Sequence, residues 1–371
     1  MIENMINVGI VGCGWISEHA HLPVLVNMKQ VKVEAVFDID IEKAKATGDK
    51  FGIKNAYNNF LEFLNSNIDC AVIATPNNTH FDYALRLLRK KICVLCEKPV
   101  VLSAREMHVL CREEKENGVF FIPGFVNRWR KDVQRVYKML KMRKIGEILS
   151  IRAGWIRKNG VPRPGSWFTK RELAGGGVLI DLGSHIFDVC CLFLEDKQPM
   201  EYRLITSKND CLSKGKAQWF SPEIKEQYEI DVEDSAIGEV VFEDDVLLRV
   251  CLSWNSSVDG DITYFKIAGT KGEITLKTLF GFSNERFSDR SIGKCEINNN
   301  VEIFYDEIIN GCAINAFRGM YNYFICCMEG NTLDCVNSSD AQKNVALIEN
   351  LYLHEIQDRK FIMNNMERDL F

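Results

Sequence analysis

Few of the features that keep a chain unfolded, anchor it or cross-link it are present here. Proline is scarce, 8 in 371 residues, and no repeat or low-complexity stretch appears. With 46% hydrophobic and 26% charged residues, the composition is that of a globular protein, not of an extended disordered one. An excess of positive charge is also missing. Lys and Arg number 46 against 51 Asp and Glu, a formal net charge of −5, which argues against nucleic acid as a partner. The N-terminus, MIENMINVGIVGCG, has no basic stretch leading into a long apolar run, so a signal peptide is not expected. No segment reads as the ~18 apolar residues that suggest a membrane span. The expectation is a cytoplasmic protein without a membrane or nucleic-acid partner.

Cysteine is not scarce, at 14 residues, but a pairing or ligand pattern is. Cys70, Cys93, Cys190, Cys191 and Cys251 fall inside apolar runs, where the thiol acts as a small core hydrophobe in a reducing compartment. Cys93 and Cys96 have CxxC spacing inside a strand-like run, with no second pair at zinc-like distance. Neither a metal nor structural disulfides are expected.

A chain of this length is too long for one typical core, and two domains are expected, 1–124 and 125–371. In the first, β-rich runs at Ile6–Val11, Val31–Phe37, Ile68–Ala74, Ile92–Cys96 and Val119–Ile122 alternate with helical patterns at Ile41–Phe51, His80–Arg89 and Ala104–Asn117. Such alternation implies an α/β fold, a Rossmann-type, doubly wound parallel sheet. Past Pro123-Gly124 the pattern changes. A helix around Asp132–Met142 is followed by strand-like runs at Ile148–Trp155, Met200–Thr206, Ala236–Phe242, Val246–Ser253, Tyr264–Ala268 and Glu273–Leu276. Short links between several of them imply an α/β domain with a large, mostly antiparallel open sheet. Ala316–Met328 and Ala341–Leu353 read as helices, and the polar stretch Ser207–Gln227 as a long surface loop.

The sharpest early signal is Gly12-Cys13-Gly14-Trp15-Ile16-Ser17, directly after the first strand. Gly12 and Gly14 permit a tight turn and close approach of backbone N–H groups, including those of Trp15 and Ile16, to a pyrophosphate at a helix N-terminus. Ser17 stands where the full motif has a third glycine. Asp38, ending the second strand, is placed to accept hydrogen bonds from the adenosine ribose hydroxyls, which favours NAD over NADP. The alternative is that Asp38 caps the next helix, a role Asp40 also fits. The segment Ala74-Thr75-Pro76-Asn77-Asn78-Thr79-His80 leaves the third strand at the same edge. Thr75, Asn77 and His80 are cofactor candidates there, and Thr79 is a helix-cap candidate.

Glu97-Lys98-Pro99 leaves the fourth strand at that edge too, placing Glu97 and Lys98 beside the cofactor. A lysine there can hold a substrate hydroxyl or help move its proton. Further on, Ala174-Gly175-Gly176-Gly177-Val178-Leu179-Ile180-Asp181-Leu182-Gly183-Ser184-His185 sets three glycines, which let backbone approach a ligand, before an apolar helix. Asp181 and His185 stand at i and i+4, one face of a helix, and a carboxylate beside an imidazole suits proton removal from an alcohol. Taken alone, such a pair is more often structural.

In their order and spacing, GCGWIS, the acidic strand end at Asp38, ATPNNTH, EKP and GGGVLIDLGSHIFD resemble the Gfo/Idh/MocA oxidoreductase family. That family is named for glucose–fructose oxidoreductase, inositol dehydrogenase and a rhizopine-catabolism protein. The resemblance spans about residues 6 to 195. It implies hydride transfer between nicotinamide and a hydroxyl-bearing carbon of a sugar, sugar derivative or cyclitol. It also implies a homodimer or homotetramer built through the second domain's sheet. By position, Lys98, Asp181 and His185 match the family's catalytic trio: His185 as base, Lys98 as hydroxyl-binding and relay group, Asp181 as their partner and substrate ligand. Relatives that use NAD for lyase or glycosidase chemistry without net redox change, and a non-catalytic dinucleotide sensor, are the alternatives.

The loop from Trp155 to Phe168 carries two tryptophans among basic residues. It reads either as a substrate lid or as a solvated basic loop. In the lid, Trp167 stacks on a sugar face while Arg157, Lys158 or Arg163 clamps an anionic group. Asn127 and Arg128 line the crevice or hold the domains; both readings stay open.

Overall fold

The computed structural model describes residues 5–158, 160–162, 165–208, 211–212, 228–283, 285–331, 336–358 and 361–362. β1 (Ile6–Val11), β2 (Val31–Phe37), β3 (Asn55–Tyr57), β4 (Cys70–Ile73), β5 (Cys93–Cys96) and β6 (Phe121–Pro123) form one parallel sheet in the order β3-β2-β1-β4-β5-β6. β4 and β5 are buried along their whole length, which is why they read as unbroken apolar runs. Between the strands lie α1 (Leu22–Leu25), α2 (Ile41–Phe51), α3 (Phe60–Leu64), α4 (His80–Arg89) and α5 (Ala104–Asn117). Their ends follow from local chemistry. The Asp40 carboxylate accepts the Glu42 and Lys43 N–H groups to start α2, and Ser103 Oγ accepts from Glu106 to start α5. The strand order reverses between β1 and β4, so the loops at their carboxyl ends diverge and open the ligand crevice of a doubly wound sheet.

The second sheet has nine strands: β7 (Ile148–Ile156), β8 (Pro199–Ser207), β11 (Ser235–Phe242), β12 (Val246–Ser253), β13 (Ile262–Gly269), β14 (Gly272–Thr278), β15 (Arg290–Ile297), β16 (Asn300–Ile308) and β17 (Glu355–Gln357). The short strands β9 (Cys211–Leu212) and β10 (Tyr228–Glu229) pair separately. In the order β16-β15-β14-β13-β7-β12-β11-β8-β17, neighbours are antiparallel except β7 with β12 and β8 with β17. Ile151, Ala153 and Trp155 of β7 and Leu248, Val250 and Leu252 of β12 point to one face. There they share a core with helices α6 (Lys131–Lys141) and α8 (Ser184–Leu194), which follows the short α7 (Arg171–Ala174). β15 and β16 were not expected, because Lys294, Glu296 and Glu302 mask the alternation. Most of the expected loop 207–227 lies outside the described residues.

Helices α9 (Ile309–Met328) and α10 (Ser338–Leu353) correct the expected division at 124/125. The chain divides into one unit of Met1–Val126 with Ile314–Val345, and a second of Asn127–Ala313 with Ala346–Phe371. The segment returns to the first unit because its polar groups find partners there. The Tyr321 hydroxyl meets His21 Nδ1 at 2.6 Å, and the Ser338 hydroxyl donates to Glu114. Among the described residues one segment, Arg171–Leu194, is long and apolar enough to cross a membrane, but 78% of its apolar window is buried in the structure, as in a core helix.

Candidate active site

In the first unit, Gly12 sits at φ 99°, and a Cβ there would lie 2.6 Å from the Ala74 carbonyl oxygen. Only glycine fits this turn. At Gly14 the nearest obstacle to a Cβ is 3.9 Å away, so the neighbouring chain does not demand glycine; open backbone beside a helix start is what a pyrophosphate needs. Ser17 is fully buried and donates to the Gly12 carbonyl at 2.5 Å, bracing the loop where the motif has its third glycine. Trp15 and Ile16 follow, half-buried, with the Trp15 ring stacked on His19 at 4.4 Å. Burial pushes the Cys13 thiol up to about 12, so it offers no thiolate here.

Asp40, not Asp38, caps α2. The buried Asp38 carboxylate instead accepts the N–H groups of Cys13 at 2.9 Å and Asp40 at 3.1 Å, and Lys43 Nζ approaches to 3.2 Å. It therefore ties the glycine loop to the end of β2 and keeps acceptor capacity for a ribose. These residues fit NAD. Asp38→Ala is expected to weaken NAD binding about tenfold or more, a charged hydrogen bond being worth about 1.5–3 kcal/mol, and to narrow a preference for NAD over NADP. Titration of both cofactors checks this; wild-type protein binding NADP more tightly than NAD would contradict it.

Thr75 lies at the same edge, its methyl 2.8 Å from where a Gly12 Cβ would be, and Asn77 is buried beside it. Thr79 stands at the start of α4 but makes no cap; its hydroxyl turns back to Thr75 Oγ1 and the Pro76 carbonyl, both at 2.7 Å. Asn78 is exposed. His80, expected among the cofactor residues, is spoken for by the backbone. It is 1% exposed, with Nδ1 2.8 Å from the Pro99 carbonyl and Nε2 2.8 Å from the Thr75 carbonyl. Burial holds its pKa below the ordinary imidazole value. It braces the loops after β4 and β5. Glu97 Oε2 accepts the Lys98 N–H and Oε1 faces His21. Lys98 is half-buried, and the Lys98–Pro99 bond is cis.

In the second unit, Asp181 lies in a π-helical turn, Leu179–Gly183, that runs into α8, where His185 is the second residue. Both are half-buried. Asp181 Oδ2 accepts Trp254 Nε1–H at 3.0 Å, and Arg157 lies 3.7 Å from it. His185 Nδ1 is 3.1 Å from Asn127 Nδ2, and its ring tilts against Trp155 with centroids 5.8 Å apart. The hydrogen bond that orients the imidazole thus comes from Asn127. Half a turn of the amide exchanges Nδ2 for Oδ1, so Asn127 serves either tautomer, including the one that leaves Nε2 free to accept a proton. Arg128 is structural: it pairs with Asp188 at 2.7 Å, on the same helix as His185.

The glycine run proves to serve the protein interior. A Cβ on Gly177 would lie 1.9 Å from the Glu233 carbonyl oxygen, and one on Gly176 2.0 Å from the Tyr352 hydroxyl. Glu233, 2% exposed, accepts the N–H groups of Gly177 at 2.8 Å and Leu179 at 3.1 Å and the Tyr352 hydroxyl at 2.7 Å. Burial raises its pKa. A carboxylate on the N–H groups that start the turn fixes the segment bearing Asp181. Sequence reasoning missed Glu233, Tyr352 and Trp254, which carry no local motif.

Arg157, a candidate anion clamp, is held by the protein itself. At 7% exposure it stacks on Trp155, donates to the Gly160 carbonyl and faces Asp181, and burial lowers its pKa. Lys158 is exposed, and its backbone N–H donates to Asp261. Trp167 is half-buried and stacked on Phe168 at 3.8 Å. Arg163 lies outside the described residues. Among the described residues, no group of three His, Cys, Asp or Glu is placed to hold a metal ion.

Comparison with known proteins matches both halves of the chain. A family model described as an oxidoreductase family with an NAD-binding Rossmann fold covers residues 6–125, and the Gfo/Idh/MocA C-terminal domain covers 133–275. The chain is 34% identical over 283 residues, 76% of its length and 77% of the relative's, to a putative UDP-kanosamine synthase oxidoreductase subunit of Amycolatopsis mediterranei. It is 25% identical over 283 residues, 74% and 78% of the two lengths, to D-glucoside 3-dehydrogenase of Escherichia coli. In fold it is similar to GenD2 from gentamicin A biosynthesis, solved in complex with NAD, with a TM-score of 0.75, 23% identity and 95% of each chain covered. With a nucleotide-binding loop in one unit, an Asp/His-bearing helix in the other and family models matching both, the chain belongs to the Gfo/Idh/MocA oxidoreductase family and is an NAD(P)-dependent oxidoreductase acting on CH–OH groups.

Proposed function

We propose that the chain oxidises or reduces C3 of a glucosyl unit, held in a glucoside or carried on a nucleotide, with NAD as its partner. The relative named for a nucleotide sugar and the relative named for position 3 of a glucoside support this reading. The observation that carries it in the structure is His185, held by Asn127 at 3.1 Å on the segment that also presents Asp181. Nicotinamide supplies the two-electron acceptor for the hydrogen leaving C3. His185 Nε2 takes the hydroxyl proton as the alcohol becomes a ketone, with Nδ1 oriented by Asn127. Lys98 binds the hydroxyl oxygen and relays its proton. Asp181, fixed by Trp254 and facing Arg157, accepts from a neighbouring sugar hydroxyl. Trp167 stacks on a sugar face. The buried cysteines, their thiols raised by burial, suit a cytoplasmic setting, and a homo-oligomer is part of the proposal.

The test is sustained formation of reduced nicotinamide with glucosides, sugar phosphates, nucleotide-linked glucose and inositols supplied in turn. Multiple turnovers with glucosyl compounds support the reading. Turnover confined to inositols, or product formed without net reduced nicotinamide, would replace it.

A further inference from the structure

Three buried polar side chains are linked in turn to the backbone N–H of Lys98. His21 is 0% exposed; its Nδ1 lies 2.6 Å from the Tyr321 hydroxyl and its Nε2 3.1 Å from Glu97 Oε1. Glu97 Oε2 accepts the backbone N–H of Lys98 at 3.1 Å. Phe317 packs edge-on against the imidazole with centroids 5.0 Å apart, which holds the ring in this orientation. Burial pushes the Tyr321 phenol well up, so the hydroxyl keeps its proton in its hydrogen bond with Nδ1. Nε2 and the carboxylate oxygen meet at ion-pair distance but off the hydrogen-bond line, and among the described residues neither has another hydrogen-bond partner.

Such an arrangement is costly to bury and contributes little as packing, so its placement directly before Lys98 calls for a functional reason. Around it, burial pushes the thiols of Cys70 on β4 and Cys96 on β5 well up and holds His80 on α4 low, disfavouring the charged form of each.

We propose that Tyr321, His21 and Glu97 are positioning residues for Lys98: they fix a carboxylate on its backbone N–H, and through Tyr321 they make helix α9 part of that support. This inference rests on the role of Lys98 proposed above. It gives the returning segment after residue 313 a task in the first unit beyond packing.

The experiment uses the full chain with Tyr321→Phe, which keeps the ring and removes only the hydroxyl, and Glu97→Gln. The first measurement needs no turnover. The rate at which an amine-acylating reagent modifies Lys98 is read by mass spectrometry, with exposed Lys158 as internal standard. Removing a negative charge beside an ammonium favours the free amine. Glu97→Gln is therefore expected to raise Lys98 modification at least threefold, and Tyr321→Phe to raise it in the same direction by less, with Lys158 unchanged. In turnover, both variants lower kcat while KM and NAD affinity stay within about twofold. In a Lys98→Ala background Tyr321→Phe has no further effect, the signature of coupled residues. Lys98 reactivity unchanged in both variants overturns the inference whatever the turnover. Wild-type protein that turns over no sugar fails the functional reading and leaves the reactivity result to decide this one.

Discussion

Replacing His185 by Ala is expected to lower kcat by about 10²–10⁴-fold, the usual contribution of a positioned general base, with NAD affinity retained. The reasoning is geometric. His185 stands second in α8, with Asn127 Nδ2 3.1 Å from its Nδ1, and in the proposed reaction Nε2 is the proton acceptor once the Asn127 amide presents Oδ1 to Nδ1–H. Its truncation removes the acceptor and leaves the first unit's nucleotide loop untouched, because the groups that shape that loop are Gly12, Ser17 and Asp38. Lys98→Ala is expected to cost a comparable factor in kcat. Cofactor titration alongside steady-state kinetics separates lost chemistry from lost binding. Turnover unchanged in either variant would remove that residue from the reaction.

The second large effect is on stability. Gly177→Ala is expected to destabilise the second unit by about 3 kcal/mol, the upper end of overpacking costs, because the obstruction at 1.9 Å is the backbone carbonyl of Glu233. Gly176→Ala meets the end of the Tyr352 side chain instead, which can swing aside. Its cost is about 1–2 kcal/mol, mostly the lost Tyr352–Glu233 hydrogen bond. The shift in denaturant midpoint reads both. Equal effects at the two positions, or none at Gly177, would contradict the view that these glycines serve the contact with Glu233.

How much of this was legible beforehand depended on where a residue's constraint comes from. The parallel sheet was visible because β1, β2 and β4 to β6 are apolar runs alternating with the helical patterns of α2, α4 and α5. β3 was invisible because Asn55–Tyr57 is too short to show a period. Gly12, Asp38, Lys98, Asp181 and His185 could be singled out because motif spacing marks them. Their partners could not. Trp254, Glu233 and Tyr352 reach the Asp181 segment from distant points in the chain, and Tyr321 reaches His21 across 300 residues. Three of the expected site residues share one feature. His80, Glu97 and Arg157 are polar residues at the right address whose side chains turn inward to satisfy buried carbonyls, an imidazole and a carboxylate. Sequence locates such residues near a site but does not give the direction in which they point.

The most direct test of the account is the fate of hydrogen at C3. A glucosyl substrate identified by turnover would be prepared with deuterium at C3 alone and converted by the purified protein in the presence of NAD. The label is expected to appear in the reduced nicotinamide, the sugar product to carry a ketone at C3, and His185→Ala to slow the transfer by about 10²–10⁴-fold, as for kcat. Label retained in the sugar, with hydrogen lost from another carbon, would contradict it.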